Sequence, residues 1–287
     1  MKLSCIVASA LILSLCSCSS GGSGAQGSAG DGTLVLSVTD APFDHSIVDE
    51  AVIDVDKIRI HADANAGSGF LTLYDGAPIT FDLLDLTNGL TQELVQAQVP
   101  AASYRQIRLH VASAYLKLTN GNLYTTDDGS LKLTSQDTSG FKVFVDPPVV
   151  VQAGFSTELL LDFDLTKTFK GIPANDPENA TSFKLMPVIR AANLSTSGEI
   201  RGLVTEDDGA GGQIPAPNAT VYILPPGETD LGNSLANTST GADGLYAVLG
   251  LPAGSYDVVA TKAALQDRLD GVVVSVGSAS VADLFVQ

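Results

Sequence analysis

A chain of 287 residues that is 45% hydrophobic and 16% charged can bury the cores of two ordinary domains, which excludes bulk disorder. Its formal net charge of −17, from 32 acidic and 15 basic side chains, argues against nucleic acid as a partner and against a purely electrostatic hold on anionic lipid. The three cysteines, Cys5, Cys16 and Cys18, all precede residue 19, so disulfides, cysteine metal sites and thiol nucleophiles are excluded downstream.

The chain opens with Lys2 and an apolar run of ten residues, Ile6–Leu15. A helix needs about 20 residues to cross a bilayer core, so this run reads as a secretory signal rather than a span. Leu15-Cys16-Ser17-Cys18 resembles the lipobox of bacterial lipoproteins, with Leu15 at −3 and Ser17 at −1 from Cys18. Cys16 fits less well, because Leu15 would fill the −1 position, which takes small side chains. The resemblance implies cleavage after residue 17 and acyl chains on Cys18, which hold to a bilayer at about 0.8 kcal/mol per buried CH₂. Ser19, in place of Asp, resembles the outer-membrane sorting pattern if the host is Gram-negative. Residues 19–32, SSGGSGAQGSAGDG, read as a flexible tether with a reach of about 20 Å. The expected organisation is a signal peptide over 1–17, lipidated Cys18 with its tether over 18–32, and folded domains over 33–195 and 198–287.

In the first folded stretch, Thr33–Thr39 alternates and is β-branched, predicting a strand that Asp40-Ala41-Pro42 ends. Ala51–His61 predicts a second strand. Its apolar parity passes from Ile53 and Val55 to Ile58 and Ile60, which predicts a bulge near Asp56. Ile79–Leu86 predicts a third, closed by Asn88-Gly89, and residues 90–98 read as either a short helix or a strand. Tyr104–Leu118 alternates most clearly, with Ile107, Leu109 and Val111 facing in and Arg108 and His110 facing out. Asn120-Gly121 is a hairpin turn signal. Phe141–Val145, Val149–Val151, Glu158–Asp164 and Ser182–Arg190 complete about nine short strands, the signature of a sandwich. Val38-Thr-Asp-Ala-Pro42, Phe81-Asp-Leu-Leu-Asp-Leu86, Tyr104-Arg-Gln-Ile-Arg-Leu109, Leu161-Asp-Phe-Asp164 and Leu185-Met-Pro-Val-Ile-Arg190 occur in this order. Together they resemble a family of uncharacterised secreted bacterial lipoprotein domains, catalogued as a domain of unknown function. The resemblance implies a fold and an exported location, and no catalytic residues.

The last stretch predicts strands over Gly198–Thr205, Ile214–Ile223, Tyr246–Val248, Tyr256–Ala260, Val272–Val276 and Val281–Val286, with the Tyr246 and Tyr256 rings covering the core end. Asp243-Gly244 and Ala253-Gly254 precede the third and fourth as turns, with both glycines expected at positive φ. The succession of Gly198-x-Ile200, Pro215-x-Pro217-x-Ala219-x-Val221-x-Ile223, Thr240-x-x-Asp243-Gly244-x-Tyr246 and Leu251-Pro252-Ala253-Gly254-x-Tyr256 resembles the transthyretin-like regulatory domain of carboxypeptidases. That family is non-catalytic, and related folds are grouped with starch-binding domains, which points to carbohydrate by fold analogy alone.

Catalytic machinery is hard to assemble from these residues. His45, His61 and His110 are scattered, Ser46 beside Asp44 and His45 is no nucleophile elbow, and G-x-S-x-G is absent. Three scattered histidines without cysteine do not make a zinc site, and no phosphate-binding or dinucleotide fingerprint occurs. Two aspartate pairs, Asp54 with Asp56 and Asp162 with Asp164, share strand faces by period two and could serve as glycosidase carboxyls. Asp127-Asp-Gly-Ser130 and Glu206-Asp-Asp-Gly209 could help hold calcium but read better as turns. Tyr74, Tyr115 and Tyr124 are the aromatics available for a sugar platform, since tryptophan is absent. The expectation is an all-β protein of two sandwiches, immunoglobulin-like and transthyretin-like, with no catalytic residue, metal or cofactor. Its expected role is non-catalytic binding or assembly in the cell envelope. Its partners would be the bilayer, through acylated Cys18, and an envelope protein or glycan. The alternatives are a surface glycan hydrolase using an aspartate pair, or a structural spacer.

Overall fold

The computed structural model describes residues 30–41, 47–62, 69–134, 140–173 and 176–287. Cys18, the stretch before it expected to be a signal peptide, and His45 with Ser46 and Asp44 lie outside the described residues. The first sandwich contains β1 (Asp31–Ala41), β2 (Val48–Ala62), β3 (Phe70–Asp82), β4 (Gln92–Pro100), β5 (Ala102–Leu118), β6 (Leu123–Thr125), β7 (Leu131–Leu133), β8 (Phe141–Val151), β9 (Ser156–Asp164), β10 (Phe169–Ile172), β11 (Ser182–Leu185) and β12 (Ile189–Asn193). One sheet runs β12-β9-β1-β4, the facing sheet runs β3-β2-β5 with β6 and β8 both on β5, and a small third sheet runs β10-β11-β7. Leu34, Leu36 and Val38 of β1 share one core with Ile58 and Ile60 of β2 and Ile107 and Leu109 of β5. All seven are fully buried, as period-two alternation on a half-covered sheet requires.

The bulge expected near Asp56 is present: the register of β2 slips between Val55 and Lys57 against both β3 and β5. Ile53 and Val55 are buried on one side of it, and Ile58 and Ile60 on the other. The Asn120-Gly121 turn also forms, with Gly121 N–H donating to Leu118 O and Leu118 N–H to Asn122 O.

Several boundaries differ from the sequence expectation. Residues 92–100 are a strand, and β1 continues through Asp40 and Ala41 because β9 pairs alongside it to Asp164. Leu83–Leu86 is a 3₁₀ turn rather than strand, capped by the Asp82 side chain, which accepts from Leu84 N–H and Ala51 N–H. The run Ser182–Arg190 is two strands in two sheets. It breaks at Met186-Pro187-Val188, where proline supplies no N–H to continue a ladder.

The second sandwich contains β13 (Ser197–Asp207), β14 (Gln213–Pro215), β15 (Thr220–Leu224), β16 (Ala236–Ser239), β17 (Leu245–Pro252), β18 (Gly254–Lys262), β19 (Leu265–Val274), β20 (Ala279–Val281) and β21 (Leu284–Val286). One sheet centres on β13, flanked by β14, β17, β20 and β21, and the other runs β16-β15-β18-β19. A separate core of Ile200, Val204, Val221, Ile223, Val258 and Val286 lies between them. The expected strand Ile214–Ile223 divides, because Pro215 and Pro217 interrupt the ladder and the chain crosses from one sheet to the other. Gly244 has the positive φ expected of it, +75°, whereas Gly254 is extended as the first residue of β18.

Both sandwiches share a device written twice in the sequence, Pro100-Ala-Ala-Ser-Tyr104 and Pro252-Ala-Gly-Ser-Tyr256. In each the tyrosine ring is buried and its hydroxyl donates to the proline carbonyl four residues back, at 2.7 Å. The buried phenol is thereby satisfied while its ring closes one end of the core.

Candidate functional site

The aspartate pairs are occupied with structural bonds. Asp54 accepts from Thr80 Oγ1 and Ser113 Oγ, and Asp56 Oδ1 lies 2.5 Å from His110 Nδ1. Asp164 accepts from Lys167 N–H at 3.2 Å and pairs with Lys167 Nζ at 2.8 Å. Asp162 is 8% exposed, and its Oδ2 takes both Arg190 Nε at 3.1 Å and Nη2 at 2.8 Å. Burial pushes the Asp162 carboxyl upward and the guanidinium opposes this. The structure therefore does not present Asp162 and Asp164 as a facing acid and nucleophile: one is a buried ion-pair partner and the other caps the single helical turn Leu165–Thr168.

The remaining sequence candidates do not converge either. The His61 ring packs 4.8 Å from Phe70, and His110 is tied to Asp56. Tyr124 is buried, donating to Ala180 O at 2.6 Å, and is removed from any surface platform. Tyr115 donates to Glu50 Oε2 at 2.7 Å, and that bond pushes its phenol up to about 12. Tyr74 donates to Ala77 O. In the two acidic loops, Asp128 accepts from Ser130 N–H and Oγ–H, and Asp208 from Ala210 and Gly212 N–H. These bonds hold both carboxyls below their ordinary range. They are turns, as one of the two readings expected. Among the described residues, no group of three or more His, Cys, Asp or Glu side chains is placed to hold a metal ion.

Among the described residues, two features of functional scale stand out. A cleft of about 520 Å³ lies between β8, β9 and the connection into the second sandwich. Pro147, Pro148, Val150 and Phe155 form its apolar part, and Asn193 and Thr196 contribute polar edges. Its whole lining is uncharged, so it offers shape and hydrogen bonds without a proton donor or base.

The other feature is the junction between the sandwiches. Arg190, cross-strand neighbour of Asp162, also donates through Nη1 to Gly250 O at 2.8 Å and through Nη2 to Leu249 O at 3.0 Å. Gly250 sits at φ +69°, and a Cβ there would come 2.5 Å from Ala192 Cβ, so only glycine allows the approach. Beside it, Thr39 Oγ1 donates to Leu86 O and Leu90 O, fixing the loop that brings Gly89 against Ala247. Four of the five motifs carrying the first resemblance thus meet in one place, through Thr39, the Phe81–Leu86 segment, Asp162 and Arg190. Sequence reasoning picked out Asp162 by its spacing and missed Arg190 as its partner.

Residues 31–187 match the family described as a domain of unknown function, DUF4382. The chain belongs to that family. Residues 199–287 match the carboxypeptidase regulatory-like domain, so the DUF4382 segment is followed here by a second recognised module. Both families are those expected from the motifs. No curated protein matches the chain. Among solved structures, GBS52, the minor pilin of Streptococcus agalactiae, aligns at 10% identity over 88% of this chain and 94% of its own, with a TM-score of 0.23. BcpA, the major pilin subunit of Bacillus cereus, aligns at 9% identity over 90% and 70%, with a TM-score of 0.23. The Bacillus anthracis TIE protein aligns at 10% identity over 92% of this chain but only 41% of its own, with a TM-score of 0.24. Similarity at this level carries no architectural or functional argument.

Proposed function

We propose that this DUF4382 protein is a lipid-anchored, non-catalytic component of a bacterial cell envelope, acting by binding or assembly through its two sandwiches. The observation that carries the non-catalytic reading is the combination of spent aspartates and an uncharged cleft. Asp162 and Asp164 are held by Arg190 and Lys167, and the 520 Å³ cleft has no titratable lining. A glycan hydrolase built on that pair fits less well, because a general acid must be free to give and recover its proton. Carbohydrate is the ligand class favoured for the binding role, by analogy with the starch-binding domains among which folds like the second module are grouped.

Anchoring rests on the Leu15-Cys16-Ser17-Cys18 sequence, and no helix among the described residues is long and apolar enough to cross a membrane. In cells fed a labelled fatty acid, the wild-type chain should take up label and sediment with membranes. Cys18→Ser should lose label and become soluble, and Cys16→Ser should behave as wild type. Label persisting in Cys18→Ser, or lost in Cys16→Ser instead, overturns the assignment. New reducing ends released from envelope polysaccharides by purified protein would overturn the non-catalytic reading.

A further inference from the structure

The lysines of this acidic chain are unevenly partnered. Lys57, Lys117, Lys167 and Lys262 each meet a carboxylate within 2.8 Å. Among the described residues Lys132, Lys142, Lys170 and Lys184 meet none. Three of these four stand side by side on the small β10-β11-β7 sheet. Lys170 is the register partner of Lys184, and Lys184 is the register partner of Lys132. All three are exposed, while Phe169, Leu131, Phe183 and Leu185 on the same strands turn into the core. The parity of three strands therefore fixes the row.

Strands lie about 4.8 Å apart, so three positive charges follow one another in a straight line across about 10 Å. Like charges directly opposite in a sheet repel and destabilise the pairing. Two described acids on the adjoining turns are engaged elsewhere. Asp128 is turned into its own loop on Ser130, and Asp176 caps its own turn by accepting from Asn179. Among the described residues, no acidic side chain forms an ion pair with the row. At physiological salt the screening length is about 8 Å, so a ligand on the row feels these lysines more than the distant net charge.

We propose that Lys132, Lys184 and Lys170 form a docking row for a linear acidic polysaccharide, one bearing carboxylates or sulfates along its length. This names a ligand for the binding role proposed above and rests on that role. The line of charge matches a strand-like polymer better than a plane of headgroups. Its position also disfavours the anchoring bilayer as occupant. β1 begins at Asp31, where the N-terminal segment joins, and ends at Ala41 opposite Asp164, about 30 Å away at 3.3 Å per residue. β10 starts five residues beyond Asp164, so the row lies at the end remote from the anchor.

The test uses the full chain and polygalacturonate, with neutral dextran and anionic phosphatidylglycerol vesicles as comparison ligands, by titration calorimetry at low and raised NaCl. The wild type should bind polygalacturonate, less tightly as salt rises, and should not bind dextran at the row. The triple variant Lys132→Gln, Lys170→Gln, Lys184→Gln should bind about tenfold more weakly, as expected for three exposed ion contacts. Its thermal midpoint should be no lower than wild type, showing that the sheet still folds. Lys142→Gln, on the other sheet, should bind normally. Equal binding by the triple variant and wild type, absence of polygalacturonate binding, or binding to the vesicles in its place overturns the proposal. Should it fail while Cys18 labelling and the absence of turnover hold, only the ligand assignment falls. New reducing ends from polygalacturonate would instead overturn the non-catalytic role itself.

Discussion

Burying a carboxylate is tolerated only where donors replace its water, and Asp257 shows the arrangement in full. At 3% exposure it accepts from Gly227 N–H at 2.7 Å, Gly271 N–H at 2.9 Å and Arg268 Nη2 at 2.5 Å. Burial works to raise its pKa, but these three donors outweigh it and hold the carboxyl below its ordinary value. A depressed folded-state pKa contributes stability above the unfolded value, about 3.9, and loses it as pH falls through the folded value. Asp257→Asn should therefore lower the urea midpoint at neutral pH by the equivalent of about 3 kcal/mol. The gap from wild type should narrow as pH drops below about 4, and a gap independent of pH would contradict the assignment. Little of this was legible beforehand, since Arg268 lies eleven positions away and the backbone donors carry no sequence signature. The paired tyrosines are the opposite case: Tyr256 is placed over the core end by its motif, and because Pro-Ala-x-Ser-Tyr occurs in both sandwiches the same words could have located Tyr104.

At the scale of elements, hydrophobic parity was the readable quantity. It placed the bulge at Asp56, because a one-residue insertion is the only way for Ile53, Val55, Ile58 and Ile60 to share one face. Parity could not tell one strand from two. Ser182–Arg190 keeps its alternation across Pro187, yet β11 serves the small sheet and β12 the large one. Nor does parity reveal which strands become neighbours. The lysine row exists only because β7 and β11 pair in parallel across some fifty residues of chain. An acidic side chain at the middle position should convert two repulsive cross-strand pairs into attractive ones. Lys184→Glu is expected to raise thermal stability by about 0.2–1 kcal/mol for each pair, read from calorimetric melting at low salt. A lowered midpoint would mean that the three side chains do not share a face.

Across the whole molecule, the two sandwiches are joined by a short connection, by the approach of Gly89 to Ala247 and by one arginine. Arg190 serves both, answering Asp162 in the first and the Leu249 and Gly250 carbonyls in the second. Its removal strands a buried carboxylate and frees two acceptors at once. Arg190→Met should destabilise the protein by about 3 kcal/mol and expose residues 187–199 to limited proteolysis. Asp162→Asn should do less, because the two carbonyl bonds survive. If both variants resist protease as wild type does, the arginine is not what holds the sandwiches together.

By itself the sequence determined the all-β class, the two modules with their family likenesses, the inward faces of β2 and β5 and the expectation of an acylated Cys18. These depend on composition, period-two patterning and short contiguous words, which survive in one dimension. Tertiary structure alone decided that Asp162 answers Arg190 rather than Asp164, that Tyr124 is buried, and that three separate lysines align. Each of those outcomes depends on which distant strands lie side by side, and such pairings are selected by the packing of the whole core rather than by local sequence.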